Sequence, residues 1–515
     1  MKEAYDVVII GSGLGGLVSA NILAKEGYSV CVLEKNKQHG GNLQIFVRNK
    51  TIFDTGVHYI GGLDKGQNLY KYFKYLEIID DLNLKKLDED GFDIITFNGD
   101  STEYKYAQGY DNFIKTLLKQ FPEEENAITT YCNKIKDTCN AFPLYRLKNR
   151  SFNYYNNLLK IFQLQAKGFI QSLTKNKKLQ AVLAGTNFLY AGEGNRTPFY
   201  VHALSINSYI ESSYRCVNGG NQITKALIHK LRQHGGEIYN YHEVIKFGFS
   251  DGKMSSVLCK NGKKIKGKLF ISNTDIKIMV KLIGEDKFKK SYVAKIINRE
   301  NIISAFSLYL VLKPKTFKYL NKNYYHFSDY KMVWNAQDYT EESWPENYYL
   351  SMGVRKNNDE WGENLTAITY MNYGDVKSWE KTFNTVAEIN ERGQTYNEFK
   401  AKKAKKFLDV IEKKFPNIRS CIQEIYTSTP LTYKDYIGNN RGSLYGYVKD
   451  INNPLASLIS PKTKIKNLFF TGQSLYMHGI LGVTIGAVLT CSAILGKDYL
   501  VDKILEANKV KANDI

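Results

Sequence analysis

Five side chains in this sequence could give or take a proton: His58 and Tyr59 in FDTGVHY, His202 in FYVHA, and Tyr476 and His478 in LYMHG. Imidazole changes charge close to neutral pH, and a phenol can relay a proton between partners. Each also has a structural alternative, as a packing residue or, for His202, a satisfied interior histidine. Glu193 stands between Gly192 and Gly194 and is either an acid at the site or a solvated loop carboxylate. Arg215 is a candidate partner for a phosphate or a substrate head group, and Arg441 lies in the NNRGS turn. No cluster has metal-ligand spacing and no Ser-His-Asp or GxSxG pattern stands out, so hydrolytic and metal chemistry fall away.

The elements that must position these groups are marked by glycines. Residues 6–35 read DVVIIGSGLGGLVSANILAKEGYSVCVLEK. The apolar run from Val7 to Ile10 predicts a buried parallel strand. Gly11, Gly13 and Gly16 follow as GxGxxG, with Leu14 inside the loop, and a helix of small and apolar residues begins at Leu17. Gly11 permits the turn, Gly13 admits a pyrophosphate against the backbone, and Gly16 lets helix and strand approach. The helix N-terminus offers free N–H groups to the phosphates. A second strand, Ser29 to Leu33, leads to Glu34 and Lys35, where a carboxylate can accept from ribose hydroxyls. This is a dinucleotide site.

Later segments choose FAD as the dinucleotide. Gly40, Gly41 and Asn42 follow the second strand, where FAD oxidoreductases of the glutathione-reductase type carry a glycine pair. Such proteins often place an arginine there, whereas this chain has His39 and Asn42. Asp54 and Gly56 follow in FDTGVHY. Far away, residues 468–487 read LFFTGQSLYMHGILGVTIGA, a strand, a Thr-Gly turn and a Gly-rich helix start. Gly472, Gly479, Gly482 and Val483 would bring backbone to the flavin and its ribityl chain. Val244 is expected to touch the adenine, on a strand running beside the glycine-loop strand.

A chain of 515 residues implies two or three domains. The expected fold is α/β, a Rossmann-like FAD-binding domain of the glutathione-reductase type with an inserted α+β substrate domain. Residues 1–75, 215–290 and 462–515 form the discontinuous FAD-binding domain, and 76–214 and 291–461 the substrate-binding domain. Helices are expected at Asp111–Lys119, Leu158–Leu179, Asn221–Gln233 and Lys402–Phe415. Turn chemistry around Asp251-Gly252 and Asn261-Gly262 marks a hairpin. Strand-like alternation runs through 300–312 and 348–373.

The formal charge is +20, from 71 Lys+Arg against 51 Asp+Glu. Such a surface is drawn to anionic lipid, and no basic tail or RNA motif suggests nucleic acid. The seven cysteines are scattered without a CxxC pair. Cys132 and Cys139, seven apart on one helix, lie beyond disulfide reach, which fits a reducing compartment. The first residues run directly into a strand, so the expected location is cytoplasmic, without a signal peptide and with a peripheral membrane contact as an option. The apolar tract Gly479–Leu495 is expected to be a buried helix.

Together these motifs resemble the family of carotenoid desaturases, carotenoid isomerases and retinol saturases. The likeness rests on FDTGVHYIGG (53–62), TPFYVHALSINSYIESSYRCVNGGNQITKAL (197–227), TPLTYKDYIGNNRGSLYG (429–446) and TGQSLYMHGILGV (471–483), which span most of the chain. It implies an FAD-dependent oxidoreductase acting on a carbon–carbon double or single bond of an apolar polyene or isoprenoid-like lipid. Hydride would move at flavin N5 and a proton would reach the neighbouring carbon. The saturase direction is favoured, with desaturase or isomerase as the alternative. A flavin-binding isoprenoid carrier without turnover and an amine oxidase are weaker ones. A second GxGxxG is absent, so the electron donor is NAD(P)H bound transiently, a quinone or a small redox protein. The oligomeric state is left open.

Overall fold

The computed structural model describes residues 1–147, 160–355 and 360–509, without the side chains of Leu455 and Ala456. Its first sheet has seven strands. Glu237–Tyr239, Val30–Leu33, Ala4–Ile10 and Lys264–Ser272 lie side by side in parallel. Val7, Val8, Ile9 and Val32 are fully buried, because helices or strand layers cover both faces. The long strand Lys264–Ser272 is paired along one edge at both its ends. Its start carries the antiparallel strand Lys253–Cys259, itself paired with Val244–Ser250, and its end carries the parallel strand Leu468–Phe470.

This corrects one expectation. The strand that starts at Val244 does not run beside the glycine-loop strand, since Lys253–Cys259 and Lys264–Ser272 intervene. The reason is local: turns at Asp251-Gly252 (φ 51° and 71°) and Gly262 (φ 81°) fold 244–272 into a meander, and its last strand takes the inner place.

The helix Leu14–Lys25 packs between this sheet, the helix Asn221–Gln233 and the helix Gly479–Leu495. Asn21 Nδ2 ties the first pair by donating to the Leu227 carbonyl at 3.0 Å. Gly479–Leu495 is apolar all round and lies in the core. Among the described residues no helix is long and apolar enough to cross a membrane.

A second seven-stranded sheet runs in the order Ile422–Ser428, Ser304–Leu312, Asn364–Met371, Asn347–Ser351, Asn323–Phe327, Asp93–Phe97, Asp100–Tyr106. The region 348–373 is thus two strands rather than one run. A three-stranded sheet joins Ile60–Gly61 and Leu84–Lys86 to Ser213–Cys216. Helices Tyr110–Gln120, Glu125–Asn140 and Phe199–Glu211 lie close to one another near it. The helix expected over 158–179 is broken: Ala166–Leu173 and Lys177–Leu183 are separate, because Asn176 caps the second by accepting from Lys178 N and Leu179 N. Residues 158–159 lie outside the described residues. The helix expected from Lys402 begins earlier, at Gln394. All seven cysteines are free and buried.

Candidate functional site

The glycine loop has the geometry of a phosphate cradle. Gly11 sits at φ 94°, which an L side chain rarely adopts. A Cβ on Gly16 would stand 2.2 Å from the Gly11 carbonyl oxygen, so helix and strand meet backbone to backbone. Gly13 forms a bridge to Gly40, and Gly41 lies against Gly13. Gly472, at φ 100°, reaches the same place: a Cβ on Gly15 would meet its nitrogen at 3.0 Å. The early glycine pair and the late Thr-Gly turn therefore converge on one loop although more than four hundred residues separate them. Glu34 is buried, and its carboxylate accepts from Ser12 N at 3.0 Å, Ser12 Oγ at 2.6 Å and Asn36 N at 2.9 Å. One lone-pair direction of Oε1 remains for a ribose hydroxyl. Leu14 is buried at the helix start, and Lys35 Nζ donates to the Asp435 carbonyl at 3.2 Å. Val244 shares an apolar cluster with Ile10 and Leu33, at the carboxyl ends of the parallel strands.

Several buried polar atoms around this loop lack a partner: His39 Nδ1, Thr224 Oγ1, Thr471 Oγ1 and Gln473 Nε2. Thr224 Oγ1 stands 2.5 Å from where a Gly40 Cβ would be, directly beside the glycine pair. A fold rarely strands so many buried donors and acceptors together. A flavin dinucleotide, with phosphate, ribityl and ring heteroatoms, supplies both kinds of partner, so the residues present fit FAD.

Next to this lies a cavity of about 60 Å³. Its walls come from Ile60-Gly61, from the helix Phe199–Glu211 (Leu204, Ser205, Ser208, Tyr209) and from the run Tyr476–Gly482, with Leu69, Tyr145, Leu189 and Ile485. Of the proton-transfer candidates, the structure brings Tyr476 and His478 to this cavity, together with Tyr209, which sequence reasoning passed over. His478 Nε2 lies 2.8 Å from the Leu189 carbonyl. A carbonyl only accepts, so Nε2 carries the proton and Nδ1 is bare. Burial, together with the Lys449 charge, holds this imidazole down to about 4. It is therefore neutral, with its one N–H committed, and suits accepting or orienting rather than donating. The Tyr445 ring stacks on it at 4.4 Å.

Tyr59 backs the cavity without lining it. Its ring lies 4.3 Å from that of Tyr209, and its hydroxyl donates to Asp93 Oδ2 at 2.9 Å and meets the Tyr325 hydroxyl at 2.7 Å. Asn323 Nδ2 donates to Asp93 Oδ1 at 2.8 Å. Burial pushes the Asp93 carboxyl up to about 7, against those hydrogen bonds. Arg215 is not a phosphate partner: it is buried and donates to Tyr319 Oη, the Leu320 and Lys322 carbonyls and Asn323 Oδ1. No sequence signal joined Tyr59, Asp93, Asn323 and Tyr325, which only the second sheet assembles.

His58 lines a separate small void of about 10 Å³ with Asp54 and Arg215. Its Nε2 has no partner, and burial holds the ring down to about 4. Asp54 accepts from Gly220 N at 2.6 Å and is pushed up to about 7 by burial. Gly56 lies against Asn42.

His202 does not line the cavity. Nε2 is 2.7 Å from the Tyr131 hydroxyl and Nδ1 is 2.8 Å from the Tyr190 hydroxyl. Tyr131 gives its own proton to the Leu183 carbonyl, so His202 donates from Nε2 and accepts at Nδ1. Glu193 is ion-paired with Arg196 at 3.3 Å, and Arg441 is exposed at φ 54°.

Comparison with known proteins agrees with this geometry. Residues 9–76 match the family described as NAD(P)-binding Rossmann-like domain. The chain is 27% identical to all-trans-retinol 13,14-reductase of Rattus norvegicus over 99% of its own length and 89% of the relative's. It is 24% identical to prolycopene isomerase 1, chloroplastic, of an Oncidium hybrid cultivar, covering 97% and 85%. A crystal structure of an oxidoreductase from Methanosarcina mazei shares the fold, with a TM-score of 0.61 and 14% identity over 95% of this chain and 99% of that one.

Proposed function

We propose that this chain, which belongs to the carotenoid desaturase, carotenoid isomerase and retinol saturase family, is an FAD-dependent oxidoreductase that saturates a carbon–carbon double bond of an apolar polyene or isoprenoid-like lipid. The observation that carries this is the cavity itself: apolar walls from the inserted helices meet the run Tyr476–Gly482, which follows the Gly472 turn that packs on the glycine loop. The flavin supplies hydride chemistry at N5 when bound. Gly11–Gly16, Glu34, Gly40, Gly41 and Gly472 would hold it. Ile60, Leu69, Leu204 and Leu481 exclude water and orient a hydrocarbon. Tyr209 and Tyr476 hold phenolic protons at the cavity, and His478 Nδ1 offers an acceptor.

The full-length likeness to all-trans-retinol 13,14-reductases supports the saturase direction. The prolycopene isomerases favour an isomerase on the same pocket as second reading. The electron donor in this proposal is NAD(P)H, a quinone or a small redox protein. An apolar substrate and a charge of +20 fit collection from an anionic bilayer surface.

The test is anaerobic. Flavin-loaded protein is bleached with dithionite and mixed with all-trans-retinol or another conjugated isoprenoid. Reoxidation with a product two mass units heavier supports a saturase. An isomerised product of unchanged mass supports the second reading, and no reaction with any apolar alkene overturns both.

A further inference from the structure

A buried lysine, Lys449, and a half-buried arginine, Arg299, lie near each other with no acid to balance them among the described residues. Lys449 is 8% exposed, and its Nζ has one partner, the Ser457 carbonyl at 3.3 Å. Burial and the nearby Arg299 charge hold this ammonium down to about 7. Arg299 faces the phenols of Tyr447, Tyr292 and Tyr200, and among the described residues no carboxylate pairs with either cation. Lys277 adds a third cation, its Nζ 3.2 Å from Asn301 Oδ1. The acid beside it, Asp275, accepts from the backbone nitrogens of Lys277, Ile278 and Asn440.

The unused hydrogen-bonding capacity here is of one kind. Arg299 Nε and one of its Nη atoms, Asn301 Nδ2 and the Tyr292 hydroxyl are buried without partners. Three of these four atoms can only donate, and the hydroxyl can donate as well. A fold that buries one cation and part of its neighbour forfeits much of their hydration and gains repulsion. Water would satisfy the donors and leave the charge. A carboxylate or phosphate satisfies both, with the short charge-assisted bonds such groups form.

The cluster lies behind the wall of the proposed substrate cavity, separated from it by the rings of Tyr200 and Phe142. The Lys449 charge acts on His478, which lines that cavity. On another side Tyr200 feels Arg299, packs on Phe142 at 5.8 Å, and Phe142 packs on Tyr476 at 6.3 Å. An aromatic strip therefore joins the cavity wall to the cations. The flavin phosphates have their own cradle at the glycine loop, on other elements.

We propose that Arg299 and Lys449 form an anion site that takes the acidic head group, a carboxylate or a phosphate monoester, of an apolar substrate whose chain lies in the cavity. This rests on the reading of the chain as an oxidoreductase of apolar alkenes. The substrate class is narrowed accordingly, from neutral hydrocarbons to amphiphilic acids.

Flavin-loaded protein is titrated calorimetrically with dodecanoate, dodecyl phosphate and dodecanol, three probes with one chain and different heads. The expected result is at least about tenfold tighter binding of one of the acids than of the alcohol, the scale of one charge-assisted hydrogen bond. Whichever acid wins names the head group. Lys449→Met and Arg299→Met should each abolish that preference while keeping alcohol binding, the flavin spectrum and the melting temperature within a few degrees. Equal affinity for acid and alcohol overturns the proposal. So does a preference that survives both substitutions, or binding of inorganic phosphate with no gain from the alkyl chain. Flavin absorbance in the same samples reports separately on the cofactor site, so loss of flavin is not confused with loss of the anion site.

Discussion

The Tyr59 hydroxyl donates to Asp93 Oδ2 at 2.9 Å, and both side chains are buried. The pair joins the segment leading into the cofactor site to the second sheet. Burial keeps the Asp93 carboxyl protonated up to about 7, whereas in an unfolded chain it ionises near about 4. The folded state thus keeps a proton that the unfolded state gives up. The associated stability is fully present below about pH 4 and is lost as pH rises through about 7. Asp54 behaves alike. Asp93→Asn is neutral at every pH and can still meet Tyr59 and Asn323. Its melting temperature should therefore change less than the wild type's between pH 5 and pH 8, a relative difference on the order of 2–4 kcal/mol. Parallel curves for the two proteins would show that Asp93 does not titrate there.

Gly16→Ala should cost the protein its flavin. The new methyl would stand 2.2 Å from the Gly11 carbonyl oxygen, and backbone cannot step aside as a side chain can. Gly472→Ala adds strain of another kind, since φ is 100° and Asn273 Oδ1 lies 2.8 Å from the new atom. In both variants the ratio of flavin absorbance to protein absorbance should fall to less than a tenth of wild type, with strain of roughly 1–3 kcal/mol at Gly472. Full flavin content in Gly16→Ala would contradict the loop's assignment as the cofactor cradle.

His202 should matter for stability and not for turnover. Its two nitrogens hold Tyr131 and Tyr190, and burial keeps it neutral down to about 3. His202→Leu strands the Tyr190 hydroxyl, while Tyr131 keeps its bond to the Leu183 carbonyl and loses only one that it accepts, which costs roughly 1–3 kcal/mol. Chemical denaturation should report that loss, while activity per mole of bound flavin stays within about twofold. A large fall in kcat at unchanged flavin content would place His202 in the reaction after all.

The sequence exposed what is local and hid what is assembled. The strand, glycine loop and Glu34 lie within thirty residues, so spacing alone conveys their geometry. The return of Gly472 to that loop was legible because glycine runs mark both ends. The neighbour of the first strand was not: Val244 and Lys264 both begin plausible strands, and only the order of two turns puts the latter inside. Asp93 sits in DIITF, a sequence that reads as an ordinary buried strand, and nothing there announces a partner 230 residues away at Asn323. Phe199–Glu211 was marked by His202, yet the residues that face the cavity from it are Leu204, Ser205, Ser208 and Tyr209, as helical rotation dictates.

The proton donors that remain at the cavity are told apart by their partners. His478 is neutral above about pH 5 and its N–H is given to Leu189, so its ionisation cannot shape the rate near neutrality. The kcat profile for alkene reduction should show no inflection between pH 6 and pH 7 that disappears in His478→Gln. Gln keeps a donor for the Leu189 carbonyl, and this variant should hold turnover within about tenfold. The proton must then come from a phenol. Tyr476→Phe and Tyr209→Phe remove the two that line the cavity, and the true donor should lower kcat by about 100-fold, the lower range for a lost general acid. The other should change KM more than kcat. A profile with an inflection near 6.5 that vanishes in His478→Gln would restore the imidazole as the acid and overturn the tautomer deduced from Leu189.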